Sequence, residues 1–191
     1  MDAAAALFME KGVDATTVDD IVLHADMAKG AFYHHYESKA ALLDVLRKQV
    51  IADFEKRVNA ALAKCPPDDL WLVLDTWIKA ACDSYLKMDP LHDVVFGSAP
   101  LRWTVADEKS FQDLTALLRK GHAQGVWRVD DPHVTAIFIF RGLLGAVDDL
   151  VLSGKRPTTA ARVIAALTRK AIAPVALATE FPVAPNGPAS P

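Results

Sequence analysis

The chain has 191 residues, 52% of them hydrophobic and 24% charged, with a formal net charge of −3. That length holds one domain with a real core or a small domain joined to a larger one, and the balance excludes a disordered or strongly polycationic chain. Cys65 and Cys82 are the only cysteines; without paired spacing they argue against a disulfide framework or a zinc site and fit a reducing cytosol.

The residues from Met1 to Leu7 lack the basic start and apolar stretch of a secretory leader. The longest apolar run, Val134 to Val147, is broken by Arg141 and falls short of the ~20 residues that span a bilayer. The expectation is a cytoplasmic protein without membrane contact. Nearly every segment shows apolar residues at three-and-four spacing and none alternates as a strand would. The fold class expected is therefore all-α, with nine helices at about 2–11, 17–25, 28–35, 38–63, 68–88, 91–97, 107–123, 131–153 and 157–178. Gly12 can cap the first, Pro66-Pro67 stops the fourth, and Pro90 and Pro100 bracket the sixth. The proline-rich segment 181–191 reads as a flexible tail.

Three short helices thus precede much longer ones. The second carries Val18, Ile21, Val22 and Ala25 on one face, with Thr16 or Thr17 as cap and Asp19 and Asp20 in its first turn. A tight turn at Ala25-Asp26-Met27 leads to the third. On a helical wheel, Ala28, Ala31, Phe32 and His35 share one side of that helix, while Lys29, Gly30, Tyr33 and His34 share the other. The second set suits a DNA major groove: Lys29 and His34 offer donors, Tyr33 reaches a phosphate or base edge, and Gly30 permits close approach. Lys39, at the start of the fourth helix, is placed to grip a phosphate. Against this, residues 1–47 hold four Lys or Arg and eight Asp or Glu, whereas DNA-binding modules are usually basic.

The stretch from Gly12 to Ile21, then Ala28-Lys29-Gly30-Ala31-Phe32-Tyr33-His34-His35-Tyr36 and Ser38-Lys39-Ala40-Ala41-Leu42-Leu43, resembles the N-terminal signature of the tetracycline-repressor-like (TetR) regulators over about residues 4 to 46. The resemblance implies a helix-turn-helix head at 1–46, an effector-binding and dimerisation body at 47–180, and the tail beyond. It places Lys29, Gly30, Ala31, Tyr33 and His34 on the recognition helix and makes Thr17, His35 and Lys39 phosphate contacts. Phe8, Val18, Ile21, Phe32 and Leu43 become core. Family members commonly have glycine where Asp26 stands and a small or β-branched residue where Met27 stands; Asp tolerates left-handed backbone better than most residues. They also usually begin with a basic DNA-touching arm, which is not seen ahead of Met1-Asp2; an earlier start is one expectation for its whereabouts.

In the body, the fourth helix bears Leu43, Leu46, Val50, Phe54, Val58 and Leu62, a stiff element long enough to join both parts and act as a lever. Ring-rich helices follow, and the family's cavity location suggests Trp77, Tyr85, Phe96, Trp103, Leu114, Leu118 and Phe138 as lining for a small-molecule effector. Arg141, in an apolar helix, must find a partner: either an acidic neighbour such as Asp148 or Asp149, or an anionic effector. His92 and His122 are further candidates. The last two helices are expected to pair across a two-fold axis through Phe140, Leu143, Leu144, Val147, Leu150 and Val151 and through Val163, Ile164, Leu167, Ala171 and Val175, with Gly142 and Gly145 letting backbones approach. There is no Walker loop, HExxH or nucleophile elbow; no enzyme, metal or cofactor is expected. The function implied is a ligand-responsive regulator, in the family's commoner habit a repressor, binding a palindromic operator DNA as a homodimer and released by effector. The alternative is a helical ligand-binding or interaction protein with weakened DNA binding.

Overall fold

The computed structural model of the chain describes residues 1–87, 91–96, 109–154 and 159–172. Nine helices and no strand occupy these residues: α1 (Asp2–Lys11), α2 (Val18–His24), α3 (Lys29–His35), α4 (Lys39–Leu62), α5 (Leu70–Leu86), α6 (Leu91–Phe96), α7 (Lys109–Ala123), α8 (Pro132–Leu152) and α9 (Ala160–Ala171). The all-α expectation holds, with helix boundaries within a few residues wherever they are described. Local chemistry sets the ends. Gly12 adopts φ +83°, closed to most residues, and its N–H bonds Phe8 O to finish α1. Ser38, Asp69 and Asp131 cap α4, α5 and α8 through their side-chain oxygens.

Two hydrophobic clusters organise the chain. The first gathers Ala4, Leu7, Phe8, Ile21, Val22, Phe32, Leu42 and Leu46 from α1 to α4. The second gathers residues of α4, α5, α7, α8 and α9 around Phe54, Trp77, Phe111, Leu114, Leu118, Trp127, Phe140 and Leu143. One helix serves both: α4 gives Leu42 and Leu46 to the first and Phe54 and Val58 to the second.

α6 is the surprise. The sequence reading places it in the body, with Phe96 on a cavity wall. Instead Val95, 1% exposed, is buried in the first cluster, with Val94 and Phe96 packed beside it. Arg47 Nε donates to Val95 O at 2.7 Å, latching α6 to α4. Three apolar residues in a row at the end of a short helix find their burial where a groove between α1 and α4 is open to them, and proximity in sequence to the body has no say.

Candidate nucleic-acid interface

The turn between α2 and α3 forms without a glycine. Asp26 takes φ +49°, the one positive φ outside glycine among the described residues. Its short polar side chain makes this conformation cheap. The Met27 N–H bonds Val22 O, closing the turn. Within α3 only Phe32 is buried, at 2% exposure. It anchors the helix on the first cluster, an apolar ring worth about 1.5–3 kcal/mol of burial.

Everything around that anchor faces solvent. Lys29, Gly30, Ala31, Tyr33, His34 and His35 are all exposed, Tyr33 to 51%. The wheel's inward side therefore narrows to Phe32 alone: Ala28, Ala31 and His35 are outside it, because a seven-residue helix lying on a small head can bury only a narrow stripe. A Cβ at Gly30 would meet nothing within 4 Å. No described residue requires glycine there, although mid-helix glycine costs roughly 0.8–1 kcal/mol against alanine.

The three residues expected to hold phosphates differ in their freedom. His35 is exposed on α3. Thr17 is the N-cap of α2: its hydroxyl accepts from Asp20 N at 3.1 Å and donates to Asp20 Oδ2 at 2.7 Å, so its proton is already given away. Asp20 also accepts the Thr17 N–H at 2.8 Å and pairs with Lys11 at 2.7 Å. The Lys11 ammonium, with Thr17's N–H and hydroxyl, holds the Asp20 carboxyl well below the usual carboxylate range. Lys39 is the most committed of the three. Its ammonium donates to Val13 O at 2.7 Å and Thr16 O at 2.8 Å, with Asp14 O at 3.5 Å. It ties the loop between α1 and α2 to the start of α4, where the part-buried carbonyls of Val13 and Thr16 need a donor. Lys29 pairs with Asp19 across the head at 2.7 Å.

The residues expected to line an effector cavity do not gather as one set. Trp77, Leu114 and Leu118 are fully buried in the second cluster. Tyr85 is half-buried at its edge, and its hydroxyl donates to Asp148 Oδ1 at 2.7 Å, joining α5 to α8. Phe96 belongs to the first cluster, and Trp103 lies outside the described residues. Phe138 is 68% exposed: the buried arc of α8 is Ala136, Ile139, Phe140, Leu143 and Val147, and Phe138 lies opposite it. Arg141 is half-buried and engaged. His122 accepts the Val129 N–H through Nδ1 at 3.1 Å and so holds the loop after α7; the His92 side chain lies outside what is described. Sequence reasoning passed over one feature. The indole N–H of Trp77 and the hydroxyl of Ser110 are buried without a hydrogen-bond partner, and the cost of such orphans makes them notable.

α8 likewise revises the expected pairing stripe. Phe140, Leu143 and Val147 are core of this chain, while Val134, Ile137 and Phe138 are exposed, as are Gly142 and Gly145. On α9, Val163 and Leu167 are 48% and 58% exposed. Among the described residues, no group of three or more His, Cys, Asp or Glu is placed to hold a metal, and no helix is long and apolar enough to cross a membrane.

Residues 1–46 match the family described as "Bacterial regulatory proteins, tetR family". The HTH-type transcriptional repressor DhaR of Mycobacterium sp. (strain GP1) is 28% identical over 99 residues, which covers 47% of this chain and 50% of that protein. The HTH-type transcriptional repressor KstR2 of Rhodococcus jostii (strain RHA1) is 42% identical over 53 residues, covering 28% and 26%. The chain thus spans about half or less of the length of these curated relatives. A crystal structure from Shewanella sp. PV-4 assigned to the tetR family superposes with a TM-score of 0.72 at 23% identity, covering 90% of this chain and 94% of that one, a likeness of fold. The head, residues 1–46, is thus similar to the tetR family of bacterial regulatory proteins, and a helical fold like that of a solved structure assigned to this family extends across most of the chain.

Proposed function

We propose that this chain is a transcriptional regulator that binds operator DNA through the exposed face of α3. The observation that carries the reading is that face itself. Phe32 fixes the helix from below, and Lys29, Gly30, Ala31, Tyr33 and His34 are exposed above it, Lys29 in a solvent-open ion pair with Asp19. The unforced glycine favours the same reading, since a bare backbone on an exposed helix serves the approach of something outside the chain. The named relatives are repressors, and repression is the sense we assign here.

The regulator acts as a homodimer through α8 and α9. Val134, Ile137 and Phe138 on α8 and Val163 and Leu167 on α9 are exposed apolar residues, and an added Cβ at Gly142 or Gly145 would meet open space. Two copies meeting there would bury the rings and let backbones approach. A small-molecule effector binds in the body and is answered by release of DNA. Its support is the orphaned Trp77 N–H, a buried donor that no acceptor of the chain satisfies, and α4, which belongs to both clusters and can pass a shift from one to the other. The operator is a palindrome, as two-fold symmetric heads require.

The test is a fluorescence titration of the chain against duplex DNA from upstream of its own gene. Binding should weaken steeply as salt rises and fall on Tyr33→Ala without loss of helical signal. Equal binding by parent and variant removes α3 from the interface. A second reading, a helical ligand-binding protein that has lost DNA, is favoured by the acid excess of the head and the internal pairing of Lys11, Lys29 and Lys39. It predicts no salt-dependent binding to any duplex.

A further inference from the structure

Resting on the DNA-binding reading, we propose that Asp19 is a specificity-determining residue: it occupies Lys29 in the unbound head as an internal stand-in for phosphate, which keeps the recognition helix off random DNA. The two residues come from different helices, α2 and α3. Their charged atoms lie 2.7 Å apart, and both side chains are open to solvent, at 54% and 69% exposure for Lys29 and Asp19. The neighbouring carboxylate also holds the Lys29 ammonium in its charged form, its pKa raised chiefly by the hydrogen bond that it donates to Asp19.

Beyond its favourable place in the first turn of α2, the fold asks nothing of Asp19. The cap of α2 is closed by Thr17 and Asp20, and Lys11 is held by Asp20. Asp19 contributes a carboxylate aimed at a lysine on the face that would meet DNA. An exposed pair of this kind is weak, so a well-placed operator phosphate or base edge can displace it. A randomly placed phosphate gains little by doing so. When Lys29 leaves Asp19 for DNA, one counterion leaves the DNA and another is taken up by the freed carboxylate. The net ion release that drives non-specific binding is then cancelled at this position. Lys39 bonds backbone carbonyls and Lys11 pairs with the capping carboxylate Asp20, so both partners also fasten the fold, whereas the more exposed Lys29–Asp19 pair can part without disturbing a cap or a loop.

The experiment measures binding of a labelled 30-base-pair duplex of random sequence by fluorescence anisotropy, from 25 to 150 mM salt. It compares the full chain with Asp19→Asn, Lys29→Gln, the double variant and Asp26→Asn. Asp26 is an exposed head acid whose change to Asn removes the same charge and keeps the left-handed turn. Asp19→Asn should bind about two- to fivefold tighter per engaged head, with a logarithmic salt slope steeper by about 0.9. Both effects should vanish in the Lys29→Gln background, and Asp26→Asn should show neither. Parental affinity in Asp19→Asn, a gain that survives Lys29→Gln, or an equal gain in Asp26→Asn overturns the proposal. If the parent itself shows no salt-dependent binding, the DNA-binding reading fails first, and that result is read from the parent alone.

Discussion

Lys39→Met separates a structural cation from a DNA contact. The substitution keeps the stem of the side chain and deletes the ammonium that bonds Val13 O at 2.7 Å and Thr16 O at 2.8 Å. Hydrogen bonds from a charged donor are worth roughly 1.5–3 kcal/mol each. Lys39 is half-exposed, so the freed carbonyls recover water and the loss falls below the sum of two such bonds, to about 2 kcal/mol for the pair together. In a chain of this size each kcal/mol moves the melting temperature by about 2–4 °C, which gives a fall of roughly 4–8 °C. Thermal melts followed by circular dichroism measure it, and amide exchange at Val13 to Thr16 should speed up in the variant. The salt slope of DNA binding by the molecules that remain folded should stay parental. An unchanged melt with a slope shallower by about 0.9 per head would show Lys39 to be a phosphate contact and the loop-tying argument to be wrong.

Gly121→Ala should destabilise despite alanine's better helix propensity, because its Cβ would lie 2.1 Å from two atoms of the buried Trp127 ring. Shifting that ring costs about 1–3 kcal/mol of overpacking and threatens its 2.8 Å bond to Leu118 O, against about 1 kcal/mol gained from propensity; a raised urea midpoint would contradict this. The Asp20 carboxyl has its pKa lowered in the folded chain, so its contribution to stability is present above the ordinary carboxylate value and lost as pH falls through the folded one. Asp20→Asn should therefore lower the urea midpoint at pH 7, and the gap from the parent should narrow below about pH 3.8; an equal gap throughout would refute the linkage. Burial, with Asp83 nearby, pushes the Cys82 thiol up to about 11, while Cys65 is half-exposed. One thiol per folded chain should react rapidly with a disulfide reagent at pH 8, and two rapid equivalents would contradict the packing around Cys82.

The parts legible in the sequence were those governed by neighbours in sequence. Three-and-four spacing found the helices, and caps such as Gly12 and Asp131 stand where short-range chemistry puts them. Asp26 was readable as a left-handed turn because the property belongs to the residue itself. What escaped depended on which face of a helix meets which neighbour. Phe138 and Phe140 are two residues apart and equally apolar, yet one is 68% exposed and the other 4%. Only the placement of α5 and α7 against α8 decides between them. The same holds for Phe96, drawn to the head, and for Lys39, whose three carbonyl partners lie 23 to 26 residues away. The Asp19–Lys29 pair left no local signal, since it spans two helices and a turn.

The most direct measurement places a photo-crosslinking phenylalanine analogue at position 33 and maps its adducts on DNA from upstream of the chain's own gene. A dimer that inserts α3 into the major groove should give two clusters of adducts about 10–10.5 base pairs apart, or a multiple of that, lost when salt is raised. Adducts scattered along the duplex, or none while the protein remains bound, would contradict the assignment of α3 as the element that enters the groove.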